Sequence, residues 1–478
     1  MLFRRRPAMG LTRVLRSLSV CASLCAVVVA SGFDVRAAGS AEASQDASAS
    51  ADGQVEDLKR AIAEIQEELA RLKAAGTGDE KIAELERRID LLAGEIEKLR
   101  TGGAVEETAL QGVKGLGPAA SNVYRKERGV ALGGYGEALY TNYAELRQDD
   151  QPSGKTDEFD FLRAVLYVGY KFSDSILFNS EIEVEHASTD KGGSVSVEFA
   201  YLEFQKRPEI GLRAGLLLVP VGFVNELHEP PTFYGARRPE VERAIIPTTW
   251  RENGAGFFGD AGPFEYRAYA VVGLLSKGFS TTGIRGGRQK GSKSLAEDFA
   301  LTGRLDYVGV PGLLLGASFY TGNSGQGSEV DGQRVGGRVN LFDLHGQYEY
   351  RGLHLRGLWT RSTVGDVPLI NEQNGLTGDA SVGDRQGGWY VEAAFDVMTL
   401  KPKGRWGISP YVRYEALDTQ KEVPAGWESS GQYNQEVLTA GIEVKPIPQV
   451  VFKLDYQWLK TEARTGVNRF NVAMGYLF

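Results

Sequence analysis

Cysteine is nearly missing from this chain: the two present, Cys21 and Cys25, both fall in its first 37 residues. Val20 and Leu24 precede them, where a lipid-anchor cleavage site needs a small residue. Neither cysteine is therefore expected to carry a lipid. Once the leader is removed, no disulfide and no thiolate metal site can form. Long apolar runs are missing too. Beyond about position 40 no stretch of about 18 apolar residues occurs, which excludes membrane-spanning helices. A transmembrane barrel escapes that exclusion, because only alternate residues of each strand meet lipid. A basic balance is the third absence. The formal charge is −8, and residues 1–37 hold six Arg and one Asp, a net of +5, so their removal leaves −13. Such a chain lacks the basic surface that nucleic acid requires. The P-loop spacing and the serine nucleophile elbow are absent as well. There are only four histidines. His345 and His354 fall on neighbouring strands about 10 Å out of register, and further ligands would be needed for a metal. No catalytic residue, cofactor or metal is expected, and the chain does not read as an enzyme.

What is present is ordered along the chain. Arg4, Arg5, Arg6, Arg13 and Arg16 precede an apolar core from Leu18 to Ala30. Val35-Arg36-Ala37 then offers a small-residue cleavage site, so residues 1–37 read as an export signal. Residues 38–54, rich in Ala, Ser, Gly and acids, read as a flexible linker. Heptad spacing follows over 55–100. One seam is Val55, Leu58, Ile62, Ile65, Leu69 and Leu72; the second is Ile82, Leu85, Ile89, Leu92, Ile96 and Leu99. Gly76-Thr77-Gly78 separates them and they do not share a register. The segment is either a helical hairpin, an oligomeric coiled coil with a skip, or a tether. Residues 101–130 are Gly-rich and read as a second linker.

From residue 131 to 478 the period changes from 3.5 to 2. Phe452, Leu454, Tyr456 and Trp458 alternate with Lys453, Asp455 and Gln457. About sixteen such segments begin near 132, 159, 175, 195, 210, 251, 264, 299, 312, 336, 352, 388, 404, 435, 450 and 468. Tight turns alternate with longer polar connections at 220–249, 275–298, 362–387 and 417–434. That asymmetry, with 60 Gly and 20 Tyr, predicts an all-β antiparallel outer-membrane barrel carrying an N-terminal coiled coil in the periplasm. Trp359, Trp389 and Trp458 fall near one end of their strands; Tyr170, Tyr307, Tyr350, Tyr476 and Phe478 fall near the other, as two aromatic girdles would. Tyr476 and the terminal Phe478 also have the form of a barrel-assembly signal, making the assembly machinery and outer-membrane lipid expected partners.

Sixteen strands enclose more space than their own side chains fill, so an aqueous channel is expected. The connection VPVGFVNELHEPPTFYGARRPEVERAIIPTTW is long, Pro-rich and partly apolar, which suits a loop folded into the lumen. Arg237, Arg238, Arg243 and Arg251 are its candidate anion-path residues, since a guanidinium matches carboxylate and phosphate. Glu226 and Glu229, with Glu240 and Glu242, accompany them. Two readings stay open: the charges face water at the constriction, or they pair with one another and lock the loop. The inward charges of the wall, including Arg163, Arg213, Arg267, Arg304, Arg356 and Arg413 against Glu181, Glu183, Asp306, Glu392 and Glu415, read as pairs that stiffen it.

Three segments, LRAGLLLVPVGF, RRPEVERAIIP and WRENGAGFFG, resemble the phosphate-selective porin O and P family. The resemblance covers the barrel and is compatible with a coiled coil ahead of it. It implies arginines that lead anions into the pore, with no position carried over individually. The expected function is passive diffusion of small hydrophilic solutes or anions, phosphate included, by a homo-oligomer, with a trimer as one candidate. The alternative is a structural envelope protein in which the barrel anchors and the coiled coil tethers or oligomerises.

Overall fold

The computed structural model describes residues 112–400 and 406–478, together with Arg60, Ile65 and Arg71, which are helical. The segments read from the sequence as export signal and first linker, the remainder of the heptad seams and residues 101–111 lie outside the described residues. Among the described residues, the period of two becomes strand throughout. First come β1 (Gly129–Tyr143), β2 (Glu158–Ser173), β3 (Ile176–Glu185), β4 (Ser194–Arg207) and β5 (Ile210–Leu218). A long connection leads to β6 (Arg251–Ala261), β7 (Phe264–Val272), β8 (Phe299–Val310) and β9 (Leu313–Gly322). The next loop carries its own ribbon, β10 (Glu329–Val330) with β11 (Gln333–Arg334). The main sheet resumes with β12 (Val339–Tyr350), β13 (Leu353–Val364), β14 (Arg385–Phe395) and β15 (Gly407–Glu422). It ends with β16 (Asn434–Ile447), β17 (Val450–Thr461) and β18 (Arg469–Leu477).

Apart from the β10–β11 ribbon, each strand pairs antiparallel with its sequence neighbours, and β1 pairs with β18 to close a sixteen-stranded barrel. The closing seam runs from Tyr135 opposite Leu477 to Tyr143 opposite Arg469. Closure leaves the barrel itself, among the described residues, without an edge strand of unpaired backbone groups. The terminal aromatics lie on this seam over glycines. Phe478 and Gly134 exchange backbone hydrogen bonds of 2.9 and 3.0 Å. A Cβ on Gly134 would come within 2.7 Å of the Phe478 ring, and one on Gly136 within 2.5 Å of Tyr476. One end of the barrel has very short turns. Between β12 and β13 only Arg351 and Gly352 intervene, at φ 47° and 83°. Two positive φ values make this a mirror-image tight turn whose twist matches the strands it joins.

Every expected strand start falls within three residues of an observed one. The expected extents need correction. β13 continues to Val364 and β15 to Glu422, so the connections reduce to residues 365–384 and 423–433. Thr363 pairs with Arg385, and Arg385 with Glu422. Backbone pairing carries these strands past the point where apolar alternation stops.

The usual arrangement of a soluble core is inverted. Outward residues such as Leu166, Phe257, Leu301, Phe319, Leu344 and Val391 are exposed. Inward residues such as Glu181, Arg213, Arg304, Asp343, Arg413 and Asp455 are buried. Trp359 and Trp389 stand opposite one another across β13 and β14, both on the exposed outer face.

Candidate functional site in the barrel lumen

The connection from β5 to β6, residues 219–250, occupies the lumen. Its neck is pinned where it leaves the wall. Val219 donates its backbone N–H to Trp250 at 3.0 Å. The Asn225 amide donates to the carbonyls of Val219 and Trp250 at 2.7 and 2.9 Å and accepts the Trp250 N–H at 2.6 Å. Val219, Val221, Phe223, Val224, Val241, Ile245, Ile246 and Trp250 are buried in one apolar cluster. A short helix, α1 (Glu240–Ala244), follows a proline-fixed entry at Pro239.

A buried loop has no ladder to satisfy its backbone, and each orphaned group carries a desolvation cost. Here the charged wall supplies the partners. Asp343 accepts from Gly222 N–H at 3.2 Å, and Arg304 donates to the Gly222 carbonyl. Lys453 donates to the carbonyls of Phe233 and Gly235 at 2.6 and 3.1 Å. Asp455 accepts from Ala236 N–H at 2.7 Å, and Glu415 from Val241 N–H at 3.1 Å. Arg413 donates to the carbonyls of Tyr234 and Arg237 at 3.0 and 3.1 Å. Within the loop, Glu242 accepts from Phe223 and Val224 N–H at 2.9 and 2.6 Å and from the Tyr390 hydroxyl at 2.7 Å. The wall charges also pair among themselves: Arg413 with Glu392 and Glu415, Arg213 with Glu203, Arg267 and Arg304 with Asp306. His345 lies between Asp343 and Asp306, at 2.6 and 2.9 Å.

A second element enters the lumen from the short-turn end. Residues 113–125 were read as linker, but Leu116, Ala119, Ala120 and Val123 are buried, and a short 3-10 helix over Ala120–Arg125 packs against β1, β2 and β3. Their Gly and Ala content, which mimics linker composition, is what allows close seating against the wall.

The candidate residues separate into two groups. Glu226 lies 3.6 Å from Arg267 and 3.8 Å from Arg304, buried. Glu229 accepts from Ala119 and Ala120 N–H at 3.0 Å each, and burial pushes its carboxyl up to about 7. Arg251 is buried in a 2.6 Å pair with Glu198. These three are engaged in buried contacts with those partners. Arg237, Arg238 and Arg243 behave differently. Arg243 pairs with Glu240 at 2.6 Å yet remains 54% exposed. Arg237 reaches only neutral groups, Thr141 at 2.8 Å and Asn471 at 3.3 Å. Arg238 donates to Thr249 Oγ1 at 2.9 Å, while its Nε and Nη2 are buried without a partner.

Two further arginines join them from the next connection, residues 273–298. Arg285 donates to the carbonyls of Arg243 and Thr248, and Arg288 to those of Pro247 and Thr249. Burial, then the neighbouring Arg288, Arg243 and Arg238, lowers Arg285 to about 9. Burial, then Arg251, lowers Arg288 to about 10. The run RGGRQKGSK, with four cations in nine residues, was the signal that could have found this pair.

No family model matches the chain. An uncharacterised protein of Aquifex aeolicus (strain VF5) is 40% identical over 357 residues, covering 72% of this chain and 78% of that protein. The chain belongs to the family of that Aquifex protein. Among solved structures, OmpF of Salmonella typhi, in complex with daunomycin, is similar at 10% identity and a TM-score of 0.49, over 74% of this chain and 98% of that one. The anion-selective porin of Comamonas acidovorans is similar at 12% and 0.47, over 73% and 99%. The outer-membrane channel DcaP of Acinetobacter baumannii is similar at 14% and 0.44, over 73% and 97%. In this member of the Aquifex family the barrel rests on its own closed ladder. The lumen holds a wall-bonded loop with a cluster of guanidinium groups, several lacking a carboxylate partner among the described residues.

Proposed function

We propose that the protein is an outer-membrane channel of the porin type with a narrow, anion-preferring passage. The observation that carries this reading is the guanidinium cluster on the lumen loop and its neighbour. Arg237, Arg238, Arg285 and Arg288 contact neutral oxygens rather than carboxylates. Cations without a directly bonded carboxylate, in a confined and poorly screened space, raise the local anion concentration. The exterior supports the location: an apolar outer face on a closed barrel needs lipid to cover it, and closure satisfies the backbone there. Phosphate lies within the chemistry that guanidinium groups recognise. The three quoted segments support kinship with the phosphate-selective porin O and P family. Lipid and the barrel-assembly machinery are the partners this reading requires, and an oligomer, trimeric or otherwise, fits it. Catalysis has no part in it.

The tight filling of the lumen favours a second reading, in which the barrel is an anchor and the heptad segment a periplasmic tether. Planar-bilayer recording of refolded protein separates the two. The channel reading expects discrete steps of small conductance whose reversal potential in a KCl gradient lies on the anion side. Folded barrels that stay silent both with and without residues 113–125 would overturn it and leave the anchor.

A further inference from the structure

The segment at the short-turn end is built unlike the rest of the molecule. Its backbone-to-backbone hydrogen bonds are all local: Leu116 to Val113, Ser121 to Gly117, Asn122 to Ala119 and Lys126 to Val123. Among the described residues, none joins it to the barrel ladder. What holds it is a set of side-chain contacts. Asn179 of β3 donates to the Ala120 carbonyl at 2.9 Å. Lys114 pairs with Glu203 of β4 at 2.7 Å, and the Tyr124 hydroxyl donates to the same carboxylate at 2.7 Å. Glu229 of the lumen loop takes the N–H groups of Ala119 and Ala120.

The seat is shaped for it. Inward positions of β1 and β2 that would otherwise carry side chains are Gly133 and Gly169. A Cβ on Gly169 would lie 2.7 Å from Val123, and one on Gly133 2.8 Å from the Ala119 carbonyl oxygen. This part of the wall carries a row of rings on β1, β2 and β4, and the Tyr124 hydroxyl meets that of Tyr201 at 3.2 Å. Tyr135 and Tyr167 have centroids 6.1 Å apart, Tyr167 and Phe199 6.0 Å, Phe199 and Tyr201 5.5 Å. A segment that breaks no ladder bond on leaving, and that uncovers a finished wall, is a separable part of the lumen.

We propose that residues 113–125 form a releasable stopper in the short-turn mouth of the barrel, latched to the lumen loop by Glu229, and that its withdrawal opens a passage along the wall of β1 to β5. This rests on the channel reading. In the chain the stopper follows the heptad segment after residues 101–112, so a pull on that segment reaches Val113 through the covalent backbone.

The test is bilayer recording of the full chain beside the same chain lacking 113–125. The stopper predicts a rise in unit conductance or open fraction of about threefold or more, as lumen cross-section is freed. Wild-type steps with an unchanged deletion variant would overturn the stopper and leave the channel standing; silence from both would overturn both. Should the deletion fail to fold, Val123→Cys reports the same event, since the exported chain is otherwise free of cysteine. Val123 is 1% exposed. A bulky polar maleimide is expected to modify it slowly, faster when Glu229→Ala removes the latch, and the modified protein is expected to stay open. Equal labelling rates with and without Glu229→Ala, and no gain of conductance after labelling, would contradict the proposal.

Discussion

Replacing Arg413 with Met is expected to cost about 3–5 kcal/mol of barrel stability, read as a lowered midpoint of urea unfolding in lipid or detergent. Arg413 is fully buried and serves four acceptors at once. Its Nε donates to Glu415 at 2.9 Å and Nη1 to Glu392 at 3.2 Å. The carbonyls of Tyr234 and Arg237 take the remaining donors. A Met side chain fills similar volume but removes the ion pair of Glu392 and, among the described residues, leaves two loop carbonyls with no donor. The cost is that of uncompensated buried charge, rather than of a lost contact. Neutralising the stranded carboxylates in the same background, Glu392→Gln with Glu415→Gln, is expected to recover part of the loss. If the loop lay outside the lumen, Arg413 would face water, and the substitution would cost no more than about 1 kcal/mol.

The second large effect concerns selectivity. Changing Arg237, Arg238 and Arg243 together to Ala is expected to move the reversal potential in a KCl gradient towards cations. A roughly tenfold fall in the chloride-to-potassium permeability ratio is the expected scale for removing one sign of charge from a confined cleft. These side chains are suited to replacement, because Arg237 and Arg238 hold only hydroxyl and amide groups and Arg243 is half exposed. Arg285 and Arg288 would be a poorer choice. They clamp carbonyls at Pro247, Thr248 and Thr249, so their loss would also loosen the loop. An unchanged reversal potential at unchanged conductance would mean that ions pass elsewhere or not at all.

Much of the barrel was readable from the chain because two different solvents face its two sides. That contrast writes a period of two so plainly that β5, β6, β7, β8 and β17 begin at the expected residues. The loop entering the lumen was also readable, from apolar residues such as Val221, Phe223, Ile245 and Ile246 in a segment that solvent alone would not cover. What it grips was not. Asp343, Arg413 and Lys453 lie 121 to 220 residues beyond the groups they satisfy, and a lumen partner leaves no periodic mark. Glu226 and Glu229 show the consequence: beside Arg237 and Arg238 in the chain they resemble a mixed constriction, yet one faces wall arginines and the other the N–H groups of Ala119 and Ala120. Residues 113–125 were hidden for a further reason. Their small residues fit a tight seat and a flexible linker equally well, and only Gly133 and Gly169 opposite them reveal which.

The most direct measurement asks whether residues 219–250 lie within the wall. Ala236 of the loop and Ala473 of β18 pack in one buried cluster with Leu139, at 1% and 3% exposure. The Ala236 backbone is fixed there by Asp455, and the Gly235 carbonyl by Lys453. A cysteine at either position adds one sulfur to a methyl group, the smallest change that supplies a thiol. Oxidation of folded Ala236→Cys, Ala473→Cys protein is expected to join loop to wall, as a disulfide or through a short bis-thiol reagent, with the bridge identified by peptide mapping before and after reduction. A barrel that folds and closes normally, forms no such bridge, and offers both thiols freely to a bulky maleimide would show that the loop does not occupy the lumen.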